Sequence, residues 1–321
     1  MTPAGAVRAL LRSSCAGAAA RASALATIAS AVATSALATI ASALAAIALM
    51  SGCAGLPAPP APMPEAIDDG VTAPPRAPDL RGQRIVLLGE VHDNGTQHAL
   101  RLAAFRALLD SGARPALLME QIDRDRQADL DRARAATAPP DAAALIDAIG
   151  GLPGWERRYY EPFIALALAH GLPIVAVNVS RADARRVMAE GLAATGFDPS
   201  VPADIAQAHV QEIVESHCGQ VDRRTAGRMA DAQAARDQEM ARLVARHAGR
   251  GVVLLAGNGH VRKDVGVVRW LPPALQAQTR VYGFLEGAPA PQGGTFDRTI
   301  VTSAPEDRPD PCATLPERMT R

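Results

Sequence analysis

Six short apolar runs recur between residues 84 and 302, most of them separated by helical patterns. Arg84–Gly89 (RIVLLG), Pro115–Met119 (PALLM), Pro173–Val177 (PIVAV) and Gly251–Ala256 (GVVLLA) are apolar along nearly their whole length. Strands without polar alternation are buried on both faces, as in a parallel sheet enclosed by helices. Between the first two runs, Leu100, Ala103, Ala104, Ala107 and Leu108 recur at helical spacing over Thr96–Asp110, and Gly112 stops the pattern. Residues 123–150 read as helical segments broken at Pro139-Pro140. Pro162 opens a helix that runs to His170 and stops at Gly171. A helical region covers Asp204 to His247, with a break at Cys218-Gly219. Val281–Leu285 and Arg298–Thr302 close the set, and the Gly/Pro-rich loop joining them predicts an antiparallel pair. The expected fold is therefore α/β: a mainly parallel sheet covered by helices on both faces, with an antiparallel C-terminal strand pair.

The N-terminal region follows a different pattern. Residues 1–21 carry Arg8, Arg12 and Arg21 and no acid, and Ala22 to Met50 carries no charge. A basic start followed by an uncharged apolar run is the layout of a secretory signal. The run is lengthened by a duplication, SALATIASA at Ser23–Ala31 and again at Ser35–Ala43, and ends in Leu49-Met50-Ser51-Gly52-Cys53. That ending resembles a bacterial lipobox, so residues 1–52 are expected to be removed and Cys53 lipidated by acyl chains of the palmitate type. Ala54 to Pro78 holds eight prolines in 25 residues without apolar periodicity, the composition of an extended tether that stays out of a core. The expected organisation is a signal peptide over 1–52, a Pro-rich tether over 53–79, a ligand-binding domain over 80–305 and a tail over 306–321.

Charge adds an exclusion. Thirty-three basic residues balance 33 acidic ones, which argues against a nucleic-acid partner. Lys263 is the only lysine.

The chemistry lies just past the apolar runs. The first is followed by Glu90, His92 and Asp93, the second by Glu120, the third by Asn178 and the fourth by Asn258 and His260. In a parallel α/β sheet the strand C-terminal ends share one edge, where ligands bind. Glu90, His92, Glu120, Asn178 and His260 are thus expected to converge. Two imidazoles and two carboxylates (Glu90, His92, Glu120, His260) suit a divalent metal; without one, a Glu–His pair performs acid–base work. The chain has no G-x-S-x-G elbow, phosphate-binding glycine loop or H-E-x-x-H helix.

LLGEVHDN (Leu87–Asn94), LLMEQ (Leu117–Gln121), VAVNVSR (Val175–Arg181) and AGNGHVRKDVGV (Ala256–Val267) together resemble the ChaN-type haem-binding lipoproteins. These share a superfamily with TIKI/TraB proteins and erythromycin esterase-like enzymes. The resemblance implies haem or haem-iron binding in iron uptake at the outer membrane, by a homodimer enclosing paired haems. It also implies a tyrosine on each iron, with a histidine and a lysine holding propionates. Tyr159 and Tyr160, in the loop GGLPGWERRYYEP, are favoured over Tyr282, which lies in a strand; His260, Lys263 and Asn178 complete the expected haem set. The superfamily's esterases and metalloproteases keep open the alternative of a metal-dependent hydrolase using Glu90, His92, Glu120 and His260.

The remaining polar residues read as quiet: His98 as a surface or packing residue, His209 and His217 as lacking metal spacing, and Asp231 and Asp237, near Arg236 and Glu239, as decoration of a solvated helix. With Cys53 lipidated and Cys15 removed, Cys218 and Cys312 are the two thiols left. In an oxidising compartment they are expected to pair.

Overall fold

The structure is a computed structural model that describes residues 74–138, 140–287 and 293–314. The expected signal segment, Cys53 and most of the expected proline-rich tether lie outside the described residues. Among the described residues no helix is long and apolar enough to cross a membrane.

The six apolar runs form one sheet: β1 (Ile85–Leu88), β2 (Ala116–Asp123), β3 (Ile174–Asn178), β4 (Val252–Leu255), β5 (Thr279–Glu286) and β6 (Arg298–Thr302), in the order β3-β2-β4-β1-β5-β6. The helices are α1 (Gly95–Asp110), α2 (Gln127–Arg134), α3 (Ala142–Ala148), α4 (Arg157–Ala169), α5 (Arg181–Glu190), α6 (Ala203–Ser216), α7 (Arg223–His247), α8 (Asn258–Val261), α9 (Pro273–Gln276) and α10 (Pro311–Thr314). Alternate residues of a strand face opposite sides, so each strand feeds two cores. Val86 and Leu88 join one with Phe105, Tyr160, Phe163 and Ile164 of α1 and α4. Ile85 and Leu87 join the other with Met240, Ala241 and Val244 of α7. That double burial is why the runs are apolar throughout.

Every pairing is parallel, including β5 with β6, where Tyr282 aligns with Arg298 and Glu286 with Thr302. The expected antiparallel C-terminal pair is therefore overturned. Both strands run the same way, and β6 starts beside the middle of β5 rather than at its end. Asp297 fixes the return point: its N–H donates to Val281 O (2.9 Å), and its Oδ2 accepts from Val281 N–H (2.8 Å). Gly283 leaves room for the Phe296 ring, which would lie 2.6 Å from a Cβ there.

Three other expectations change. Helix α4 begins at Arg157, so Pro162 lies inside it. The earlier start buries Tyr160, Phe163, Ile164 and Ala167 as one stripe, and this outweighs the hydrogen bond that proline cannot donate. Helix α5 was not evident, because only Ala184 and Val187 of RADARRVMAE are buried. The end of the proline-rich segment, Pro74–Pro78, lies beside β6, and Pro78 is buried, so this end does join the fold.

Helices α6 and α7 meet at Cys218, whose φ is +55°, and Gly219, at +72°. Cys218 is joined to Cys312 by a disulfide, with the Cα atoms 5.8 Å apart.

Candidate functional site

Strands β1 and β4 lie side by side, but their outgoing chains diverge. From β1 the chain enters α1 on one face. From β4 it enters α8 and the turn Val267–Trp270 on the other. Such a divergence opens a crevice at the strand ends, and here the loops after β1, β2 and β4 line it. The loops after β1 and β4 are tied together where Asn258 N–H donates to Glu90 O (3.0 Å).

Glycines in the two motif segments admit the functional side chains. A Cβ on Gly257 would lie 2.8 Å from His92 Cε1 and 3.8 Å from Glu120 Oε2. One on Gly89 would collide with the Asn258 amide, and one on Gly266 with the His260 carbonyl. Asn258 itself serves the fold: it donates to Phe284 O (2.5 Å) and accepts from Phe284 N–H (3.1 Å), binding the loop to β5.

Two charged assemblies result. Glu90 is buried and holds three partners: Tyr160 donates its hydroxyl to Oε1 (2.6 Å), His92 Nδ1 lies 2.9 Å from the same oxygen, and Arg101 pairs with Oε2. Arg101 is fully buried and donates to Leu88 O (3.2 Å). His92 is 56 % exposed at its side chain and packs edge-on against Trp155, with ring centroids 4.5 Å apart. Burial lowers its pKa below the usual imidazole value, so the ring is neutral at pH 7. With the proton on Nδ1 donated to Glu90, Nε2 carries a lone pair and has no hydrogen-bond partner among the described residues.

The second assembly surrounds His260. Nδ1 lies 2.7 Å from Asp237 Oδ1, and Nε2 lies 3.4 Å from Glu120 Oε1. Glu120 Oε2 accepts from Gly257 N–H (2.8 Å). Burial alone would depress the His260 pKa, but Glu120 and Asp237 outweigh it and raise the pKa to about 10. Burial likewise pushes Glu120 up, while the His260 charge and hydrogen bond bring it down to about 2. His260 is thus a clamped imidazolium at neutral pH. Behind it, His209 Nε2 lies 3.5 Å from Asp237 Oδ2.

His92, Glu120, Asn178 and His260 line one cavity of ≈ 550 Å³, in the size range of small-molecule sites. Glu90 stands behind His92 rather than at the wall. Ile122, Ile149, Pro153 and Trp155 supply apolar lining, and Arg126, Arg181 and Arg236 supply cations.

Several expected roles change. Tyr160 is fully buried and gives its hydroxyl to Glu90, and burial raises its pKa, so it presents no phenolate to the cavity. Tyr159 lies outside the cavity lining, stacked on His98 at 4.3 Å, with its hydroxyl near Asp93 O (3.4 Å). Tyr282 donates to Asp79 O (3.1 Å). Lys263 pairs with Asp297 Oδ1 (2.5 Å) instead of facing the cavity. The expected divalent-metal set of Glu90, His92, Glu120 and His260 is not assembled. Arg101, Tyr160 and His92 occupy the Glu90 oxygens, and carboxylates flank both His260 nitrogens. Among the described residues no group of three or more His, Cys, Asp or Glu side chains is placed to hold an ion.

Three residues read as quiet, His98, His209 and Asp237, are buried. His98 is buried and packs its Nε2 3.0 Å from His92 O. Asp237 and Glu239 are buried, the latter against Arg242 (2.7 Å). The available signal for Asp237 was its place in the stripe Ala230, Ala234, Asp237, Ala241, Val244, where every other member is apolar.

The donor set suits haem. A neutral imidazole, oriented by a carboxylate on its other nitrogen, is a known type of iron ligand; an apolar wall suits the macrocycle, and guanidinium groups suit its carboxylates.

Residues 77–271 match the family described as haem-binding uptake, Tiki superfamily, ChaN. No curated protein matches the chain. Among solved structures, ChaN of Campylobacter jejuni, in a structure of cofacial haem binding, is 20 % identical, with 68 % of this chain and 87 % of that one covered and a TM-score of 0.57. At that identity it shows a shared fold. Two more distant likenesses are a mutant of the erythromycin esterase EreC in its open conformation and the RRSP toxin effector domain of Vibrio vulnificus. The first is 15 % identical over 68 % of this chain and 75 % of that one, with a TM-score of 0.39. The second is 15 % identical over 69 % and 35 %, with a TM-score of 0.36.

Proposed function

Because the chain belongs to the ChaN haem-binding uptake family of the Tiki superfamily, we propose that it binds haem in the cavity at the C-terminal edge of its sheet and serves haem-iron uptake. The observation that carries this reading is His92: a neutral imidazole held by Glu90 at Nδ1, with Nε2 open beside Trp155 in a cavity of ≈ 550 Å³. His92 is the iron ligand in this account. The phenol implied by the family resemblance is left to Tyr159, outside the cavity lining.

The protein acts from the cell envelope, tethered at the outer membrane by acyl chains on Cys53, and closes its haem site as a homodimer. The basic start, the uncharged run and the LMSGC ending support the export and the anchor. The Cys218–Cys312 bridge agrees with an oxidising compartment.

A hydrolase reading rests on the same dyad. A neutral imidazole with a carboxylate behind it is the geometry of a general base. His260, charged up to about pH 10, is then confined to donating a proton or stabilising negative charge.

Haem titration of variants tests the ligand. Wild-type protein is expected to develop a saturable Soret band. His92→Ala is expected to lose it or shift it, while Tyr159→Phe keeps it. An unchanged band in His92→Ala, or its loss in Tyr159→Phe, contradicts the assignment.

A further inference from the structure

We propose that the Cys218–Cys312 disulfide is a site of redox modification: exchange with a dithiol opens it and loosens the loop that carries His92. Such a switch acts whatever ligand the cavity holds, and so goes beyond the haem reading.

The bridge sits at one end of a strap. From Ser303 onward the chain leaves β6 and reaches the corner between α6 and α7, where Cys312 is bonded to Cys218. Among the described residues, none of 303–314 belongs to an apolar cluster. Apart from the disulfide, two sets of polar contacts hold the strap. Ser303 O accepts from Asn94 Nδ2 (2.8 Å). Arg308 donates from Nε to Asp93 Oδ2 (2.7 Å) and from Nη2 to Glu286 Oε1 (2.8 Å). Partly exposed ion pairs on a free chain end contribute little, so the covalent bond is what keeps the strap in place.

Both ends of the strap bear on the site. Asp93 directly follows His92, and few bonds hold the loop Val91–Asn94: Val91 N–H donates to Gln97 Oε1 (2.7 Å) and Asn94 N–H to Val91 O (3.0 Å). The Asn94 side chain donates to Glu286 Oε1 (2.6 Å), on the carboxylate that Arg308 also pairs with. At the other end, Ser216 and His217, just before Cys218, line a cavity of ≈ 270 Å³ that reaches His260. The strap therefore couples the His92 loop to the helix corner beside His260.

The two sulfurs differ in access. Cys312 is exposed and Cys218 half-buried, so an attacking thiolate reaches Cys312 Sγ first. The Cys218–Cys312 bond breaks and Cys218 leaves as a thiolate; the second thiolate of the dithiol then attacks the mixed disulfide and frees Cys312. Two electrons pass to the bridge, the dithiol closes into its own disulfide, and its two protons go to the freed thiolates. Cys218 has φ +55°, a left-handed position that helix ends usually give to glycine, so a thiol is kept there at a cost in backbone strain. The strap can leave without unfolding the sheet, because both of the cores that β1 feeds form without residues 303–314.

The test treats the folded, disulfide-bonded protein with dithiothreitol, without denaturant, and reads thiol alkylation by mass and amide exchange by NMR. Cys218 and Cys312 are both expected to become alkylated. Exchange of the Val91 and Asn94 amides is expected to accelerate about fivefold or more, while Leu254 in β4 keeps its protection. In Arg308→Gln, still disulfide-bonded, reduction is expected to change those two loop amides less than about twofold, because the link from the bridge to Asp93 is already cut. A bridge that resists the dithiol in the folded protein overturns the switch. So does loop exchange that reduction leaves unchanged, or an acceleration that survives in Arg308→Gln. Loss of protection at Leu254 on reduction shows a bridge that holds up the whole fold, and it overturns the switch as well. A missing Soret band on haem titration counts against the haem reading alone.

Discussion

His260 lies between two carboxylates, and the stability it contributes depends on its charge. Its folded pKa is raised to about 10, so that contribution is complete below about 6.5, the unfolded value, and is lost as pH rises through 10. Glu120, lowered to about 2, contributes above its ordinary value of 4.5 and loses that contribution as pH falls towards 2. Stability measured by urea unfolding is therefore expected to decline between pH 6.5 and 10. Asp237→Asn should cost about 3 kcal/mol below pH 6.5 and flatten the alkaline decline, since it removes one of the two anions facing a buried cation. A wild-type curve that stays level over that window contradicts the clamp. Glu90, His92, Glu120 and His260 were legible in the sequence because each directly follows an apolar run. Asp237 was not, because its neighbours Arg236, Gln238 and Glu239 hide it in a polar stretch, and only the 3.6-residue stripe exposes it.

At the scale of elements, legibility followed the width of the apolar pattern. The strands buried on both faces were evident from their runs, and α1 from five spaced apolar residues. Helix α5, with two buried side chains, was missed, although its N-terminus borders the cavity. The parallel β5–β6 pairing departs from its sequence signal for another reason. A Gly/Pro-rich connection signals a reversal, but the Asp297 bonds to Val281 and the Phe296 ring over Gly283 set the return in parallel register. Gly283→Ala tests this: a methyl at 2.6 Å from the ring must displace Phe296, at a cost of about 1–3 kcal/mol by analogy with overpacking. Chemical denaturation measures it, and a neutral result contradicts the packing.

In the whole molecule, the C-terminal segment ties distant parts together. Arg308 pairs with Asp93, beside His92, and with Glu286 at the end of β5 (2.5 Å). Four residues later Cys312 is bonded to Cys218, across a sequence separation of 94. On the chain-entropy account, closing a loop of that length stabilises the fold by up to about 4–5 kcal/mol. The Cys218→Ser/Cys312→Ser variant is expected to unfold at a lower urea midpoint, and an unchanged midpoint refutes that contribution. The central claim is that the cavity beside His92 is a haem site. Its most direct test is absorbance titration of the purified chain with haem. The account predicts a Soret band that saturates at a fixed stoichiometry and is abolished or shifted in His92→Ala. A titration indistinguishable from free haem contradicts it.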